Sequence, residues 1–471
     1  MSVQRTHFDL VVIGAGPAGH KAAVQAAKAG RSVLLVDRAA APGGECVHRG
    51  TIPSKTLRES ALYLAGLKQR AAGIASSELN AHTKVESLMS RLEHVLHAHE
   101  NFIRSQSERN GIEFQRGRVR FVGPHEIELA QPRGEKRRFS ADFFVIASGS
   151  RPRLPAEMRI DHEQILDSDS ILSLIYLPQS LTVLGAGVIA CEFATIFQAL
   201  GVRVTMVDKS ARPLAFLDAE ITERFAKAFA AMGGTWIPGK KPVSCCSDGI
   251  AGTTTTLDDG STIVSEKTLV ALGRSANVAG LGLEALGISV NERGYIPVDA
   301  NLRTAVPHVY AAGDVIGPPA LAASAMEQGR RAARHIFGLP LHEGSDMIPA
   351  GIYTIPEMSC IGITEEEARK RHGSALVGRA RFAELARGQI SGDVEGLLKL
   401  VAEPATGRVL GAQIIGEGAT ELIHLAQLAM LGGLSVDTFV DNVFNFPTLA
   451  EAYRVAALEC IAQLAKLRLA G

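Results

Sequence analysis

Residues 9–37, DLVVIGAGPAGHKAAVQAAKAGRSVLLVD, restrict the possible folds more than any other stretch of the chain. The apolar run at 9–13 is too short for a helix, and Gly14-x-Gly16-x-x-Gly19 follows it at once. That order predicts a strand, a glycine turn, a helix and a second strand ending on Asp37. Each glycine has a separate task. Gly14 permits the tight turn, Gly16 lets the backbone approach a pyrophosphate, and Gly19 lets the helix pack closely on the strand. Free N–H groups and the helix dipole favour phosphates at the helix N-terminus. Asp37 stands where a carboxylate would accept the adenosine ribose hydroxyls.

Glycine turns also join ordinary strands to helices, so the recurrence of the pattern matters. Residues 181–208, LTVLGAGVIACEFATIFQALGVRVTMVD, place Gly185, Gly187 and Ala190 at the glycine positions and Asp208 at the end of the second strand. Two such cradles imply two dinucleotides, hence a flavin and a nicotinamide coenzyme exchanging electrons.

Other features exclude competing classes. A chain of 471 residues has room for several domains. Its 49 basic and 49 acidic residues form no long block of one sign, which predicts neither a nucleic-acid nor a membrane-surface partner. Residues 1–7 run straight into the first cradle, and no apolar stretch reaches the roughly 18 residues of a membrane span, so a soluble, cytoplasmic protein is expected. The six cysteines lack C-x-x-C or Cys/His ligand spacing, which predicts neither a disulfide framework nor a metal site. Adjacent Cys245 and Cys246 read as small residues near a strand. Val85, Leu88, Met89, Leu92, Val95, Leu96, Phe102 and Ile103 recur at helical spacing and predict an amphipathic helix over 85–110. His94, His97 and His99 on or near it read as part of a solvated face. Residues 111–141 read as a β-meander with a turn at 131–134, ahead of a separate parallel strand at 143–147. The proline-bearing 151–155 marks the crossover into the second nucleotide unit.

Residues 38–60, RAAAPGGECVHRGTIPSKTLRES, make a resemblance specific. The chain resembles the FAD-dependent pyridine nucleotide-disulfide oxidoreductases, the family of dihydrolipoamide dehydrogenase and glutathione reductase. Residues 304–314, TAVPHVYAAGD, resemble that family's second FAD motif, whose aspartate, here Asp314, binds the ribityl hydroxyls. The resemblance implies an α/β fold with two Rossmann-like nucleotide-binding domains plus a C-terminal α+β dimerisation domain. It implies FAD binding by 1–151, NAD(P) binding by 152–275, a central domain at 276–347 completing the FAD site, and dimerisation by 348–471. Arg38, Gly43, Gly44, Glu45, Cys46 and Gly149 are then expected beside FAD, and Lys209, Arg212 and Gly273 beside the nicotinamide coenzyme. Glu45 stands where glycine is expected. Lys55 is expected near the reactive flavin nitrogen, paired with Glu192.

Two departures bear on function. Members that reduce disulfides carry two cysteines with four residues between them; here Cys46 keeps the first position and Thr51 occupies the second. Those members also end in a histidine before Pro-Thr-Leu that serves the thiols as a base, and here that residue is Phe446. A dithiol needs a base to lose its protons, so both changes remove parts of one mechanism and leave the coenzyme sites intact. Within the family this combination resembles the soluble pyridine nucleotide transhydrogenases. Expected is hydride transfer between NADPH and NAD⁺ through tightly bound FAD, in a homodimer or higher homo-oligomer. An NAD(P)H oxidase or diaphorase, passing electrons to oxygen or a quinone, would share every motif. A disulfide reductase using Cys46 with an external thiol, and an idle coenzyme-sensing flavoprotein, are further alternatives. Asp208 by itself favours NAD(H), whereas Arg212 is expected to hold the 2′-phosphate of NADP(H) while Asp208 swings aside or is neutralised.

Overall fold

The computed structural model describes residues 5–71, 81–250, 252–341 and 347–470, with side chains for all of these but 67–71, 81–88, 468 and 470. The first cradle folds as strand His7–Ile13, helix Pro17–Lys28 and strand Val33–Asp37. Its strands lie in the middle of a seven-stranded sheet, between Glu113–Arg116 on one side and Lys136–Ile146 on the other. The apolar residues of strand His7–Ile13 are buried on both faces, as expected where helices cover one side of a parallel sheet and further chain covers the other.

The predicted meander and the predicted parallel strand turn out to share one strand. Lys136–Ile146 pairs through residues 136–140 with antiparallel Glu126–Ala130, and through 140–146 with parallel His7–Ile13. The polar-apolar alternation at 136–141 changes to a continuous apolar run because its later half is covered on both faces. The helix predicted over 85–110 spans Ala81–Arg109. Leu92 and Ile103 are buried as expected, but Phe102 is 55% exposed and lies against the ring of His99. Val85 and Leu88 fall outside the residues whose side chains are described.

The second cradle repeats the first: strand Ser180–Leu184, helix Val188–Ala199 and strand Arg203–Asp208, within a five-stranded parallel sheet. The chain enters this unit through Ser150–Pro152 and leaves through Arg274–Ala276, which pair antiparallel, so both crossings share one place. Residues after 276 return to the first unit. Val309–Ala311 adds a parallel strand beside Lys136–Ile146, and helix Ala322–Ile336 packs along Pro17–Lys28. The final unit is a five-stranded antiparallel sheet, Ala350–Ile352 to Leu376–Arg381, against helices Ala419–Leu431 and Glu451–Ala470. No described helix is long and apolar enough to cross a membrane.

Candidate functional site

Both cradle turns are built alike. The Gly14 N–H donates to the carbonyl of Val36 at 2.7 Å, and the Gly185 N–H to that of Val207 at 2.9 Å. Helices Pro17–Lys28 and Val188–Ala199 start at Gly16 and Gly187 without a side-chain cap, which leaves first-turn N–H groups for an anion. Gly14 has φ +106°, and a Cβ on it would meet the carbonyl oxygen of Ala147 at 2.2 Å. At Gly44 a Cβ would meet the Cα of Gly16 at 2.6 Å, so the two loops touch backbone to backbone.

Both turns open into one cavity of about 2060 Å³. Its wall on the side of the first cradle includes Gly14, Gly16, Asp37, Arg38, Gly44, Glu45, Cys46, Lys55, Gly149 and Asp314. Gly185, Gly187, Glu192, Asp208, Lys209 and Gly273 line it from the second. Gly19, Gly43 and Ala190 stand behind the turns rather than in the wall. Arg212 also lies off the cavity: its guanidinium donates to the carbonyls of Ala215 and Leu217, at 3.3 and 3.4 Å. The side chain expected to reach a coenzyme phosphate thus braces its own loop in this structure.

Where the units meet, Lys55 Nζ donates to both carboxylate oxygens of Glu192, at 2.9 and 2.7 Å. Glu192 is 4% exposed and also accepts from the Tyr353 N–H at 2.9 Å. The Lys55 ammonium lies 4.8 Å from the centre of the Tyr353 ring. The pair thus joins helices Thr51–Ala71 and Val188–Ala199 to the start of the C-terminal unit. Buried Arg58, next to this junction, holds Glu357 at 3.1 Å and the Thr354 carbonyl at 3.0 Å.

Cys46 is unpaired, as are the other five cysteines. Burial pushes its thiol above the ordinary value; interaction with the Thr51 hydroxyl and the Lys55 charge oppose this, and Asp314 adds to it. The thiol is therefore protonated near neutral pH, unlike an activated nucleophile. Asp314 accepts from the Ser150 hydroxyl at 2.6 Å, and Arg274 donates to that hydroxyl at 2.7 Å, which fixes the serine as a donor to the carboxylate. Asp37 uses both oxygens on backbone, accepting from Ala15 at 2.7 Å and Ala39 at 2.8 Å. Each oxygen keeps a lone pair for a ligand hydroxyl.

Glu45, the unexpected carboxylate, faces Arg38 at 3.4 Å, while its Oε2 is buried with no protein partner. His48 Nδ1 meets Glu100 at 3.0 Å, and its buried Nε2 likewise lacks a partner. Both residues line the cavity, and buried polar atoms are ordinarily satisfied. These orphans, the uncapped helix starts and the backbone-lined turn fit a polar dinucleotide such as FAD. Tyr353, Ser150, Arg274 and the His48–Glu100 pair carried no sequence signal of their own; each acquires its place through contacts between distant segments. Among the described residues, no group of His, Cys, Asp and Glu is arranged to hold a metal ion, and His97 faces Glu100 at 3.6 Å.

Comparison with known proteins extends over nearly all the chain. The profile described as pyridine nucleotide-disulphide oxidoreductase matches residues 8–329, and that of the corresponding dimerisation domain matches 348–457. A soluble pyridine nucleotide transhydrogenase of Mycobacterium tuberculosis is 44% identical over 461 residues, 98% of each chain. One from Vibrio vulnificus is 39% identical over 462 residues, 97% of this chain and 99% of the other. Among solved structures, LpdA from Mycobacterium tuberculosis superposes with a TM-score of 0.88 at 28% identity, covering 96% of this chain and 99% of that one. The HOCl-induced flavoprotein disulfide reductase RclA from Escherichia coli gives 0.86 at 26% identity, with the same coverage of 96% and 99%.

Proposed function

The chain belongs to the pyridine nucleotide-disulphide oxidoreductase family, and from that premise we propose that it is an FAD-dependent NAD(P)⁺ transhydrogenase that works without a redox disulfide. The observation that carries this reading is Thr51 in place of a second thiol next to Cys46, within a cavity that otherwise retains the cradles, the Lys55–Glu192 pair and Asp314. FAD, when bound by these residues, would supply the two-electron chemistry that links one nicotinamide to the next. The protein's own groups position and charge the site. Asp37 and Asp314 offer acceptors to ribose and ribityl hydroxyls, the turn at Gly14 and Gly44 admits the pyrophosphate, and Lys55 presents a fixed cation. The second cradle takes NADPH and NAD⁺ in turn.

In this reading residues 1–151 bind FAD tightly, 152–275 bind NAD(P), 276–347 complete the FAD site and 348–471 form the dimer interface. A homodimer accords with the apolar side chains that the last unit exposes, among them Phe446 at 69%, Val443 at 87% and Leu428 at 67%. Sedimentation at micromolar protein is expected to give a dimer, and a monomer there would contradict the assignment. The names of the relatives, the absence of a described membrane-crossing helix and the free thiols support a cytoplasmic enzyme.

The deciding experiment follows NADPH oxidation anaerobically, with and without an NAD⁺ analogue. Oxidation matched by analogue reduction is expected; oxidation that needs only oxygen or a quinone would make the protein an oxidase or diaphorase instead. Cys46→Ser is expected to keep most of the wild-type turnover, since no thiol takes part. Loss of turnover with FAD still bound would restore a role for sulfur.

A further inference from the structure

Two basic side chains reach the cavity at the ribose end of the second cradle. Lys209 follows Asp208 directly, and Lys241 comes from another part of the chain, one residue before strand Pro242–Ser247. Neither ammonium has an ion-pair or hydrogen-bond partner among the described residues. Backbone hydrogen bonds bring their two segments together. The Gly239 N–H donates to the carbonyl of Ser210 at 3.1 Å, and the Lys240 N–H to that of Asp208 at 3.1 Å, so 239–241 is laced to the end of the cradle strand. Lys241 itself is held by its N–H to Asp258 at 3.2 Å. Lys240 meets Asp259 of the hairpin at 2.7 Å, while Lys241 lines the cavity, as Asp208 does.

We propose that Lys241, together with Lys209, forms the subsite for the 2′-phosphate of NADP(H), and that Arg212 takes no part in it. This rests on the reading that the second cradle accepts both nicotinamide coenzymes. Lys209 and Lys241 line the cavity together with Asp208, so two positive charges stand against one negative charge where a phosphate monoester carries close to two negative charges. With NAD(H) the same side chains stay solvated, and Asp208 remains available to the ribose hydroxyls. The cradle therefore admits both coenzymes without displacement of Asp208. Arg212, bonded to two carbonyls of its own loop, shapes that loop for both coenzymes alike.

The test titrates the holoenzyme calorimetrically with adenosine 2′,5′-bisphosphate and with AMP, which needs no hydride transfer. Lys241→Gln is expected to weaken the bisphosphate about 10-fold and leave AMP unchanged. Lys241→Arg should retain most of the preference, and added salt should erode it. Arg212→Ala is expected to leave the ratio of the two affinities at its wild-type value. An unchanged ratio in Lys241→Gln, a collapsed ratio in Arg212→Ala, or a wild type without preference for the bisphosphate would each overturn the subsite. Wild-type protein that shows the preference but moves no hydride from NADPH to NAD⁺ would overturn the transhydrogenase reading and leave the subsite standing.

Discussion

Lys55→Met is expected to lower kcat for hydride transfer from NADPH to NAD⁺ by about 100- to 1000-fold, the scale on which a single preorganised electrostatic contact acts. A hydride carries two electrons, so negative charge gathers where it lands, and a cation already in place lowers the cost of that charge. Lys55 is held in the cavity wall by two hydrogen bonds to Glu192 and by the Tyr353 ring, and its expected place is beside the flavin. The same substitution leaves Glu192, 4% exposed, as a buried carboxylate with the Tyr353 N–H as its remaining donor. Breaking a buried pair from one side costs about 3–5 kcal/mol, so the single variant should also be less stable. Combining Lys55→Met with Glu192→Gln removes both charges and should recover most of that stability while turnover stays low. FAD content, read from the visible absorbance of purified protein, separates loss of cofactor from loss of catalysis. If turnover returns together with stability in the double variant, the pair is structural and the assignment fails.

Lys399→Met should have the largest effect on stability alone. Lys399 is 3% exposed and sits between Asp218 at 2.9 Å, Glu365 at 2.7 Å and Glu220 at 3.2 Å, with Arg379 bridging the two glutamates. Asp218 caps helix Ala219–Ala231 of the second nucleotide unit, while Lys399 and Glu365 belong to the C-terminal unit. The network therefore fastens one unit to the other. Without Lys399 three carboxylates face each other, and about 3–5 kcal/mol should be lost, seen as a lower urea midpoint at unchanged slope. Turnover at low denaturant should persist, since none of these groups lines the cavity.

The network also sets a pH dependence. Burial by itself would raise the Glu365 carboxyl, but hydrogen bonds from Lys399 and Arg369 and the charges of Lys399 and Arg379 prevail and bring it from 4.5 down to about 2. A group with a depressed folded value stabilises fully above its unfolded value and loses that contribution as the pH falls through the folded one. Wild type should thus lose stability from pH 4.5 toward 2, and its margin over Lys399→Met should shrink across the same window. A margin that stays constant there would show that Lys399 acts by packing and not by charge.

The parts of this protein that could be read from sequence are those built from consecutive residues. Strand, turn and helix of each cradle need only the dihedral freedom of Gly14 or Gly185 and an apolar run on either side, so both appear as written in 9–37 and 181–208. The loss of a second thiol is likewise a matter of which residue stands at position 51. Lys55 and Glu192 were paired by resemblance, because nothing local relates residues 137 positions apart. Packing between segments decided the rest. It made one strand of the meander and the parallel run at 136–146, turned Phe102 outward, and brought Ser150 and Arg274 to Asp314. In the second cradle the sequence offered Arg212, four residues past Asp208, as the phosphate ligand. The fold turned that guanidinium onto its own loop and carried Lys241 to the cavity instead, because backbone pairing between 208–210 and 239–240 sets which charges meet there, and no local pattern encodes that pairing.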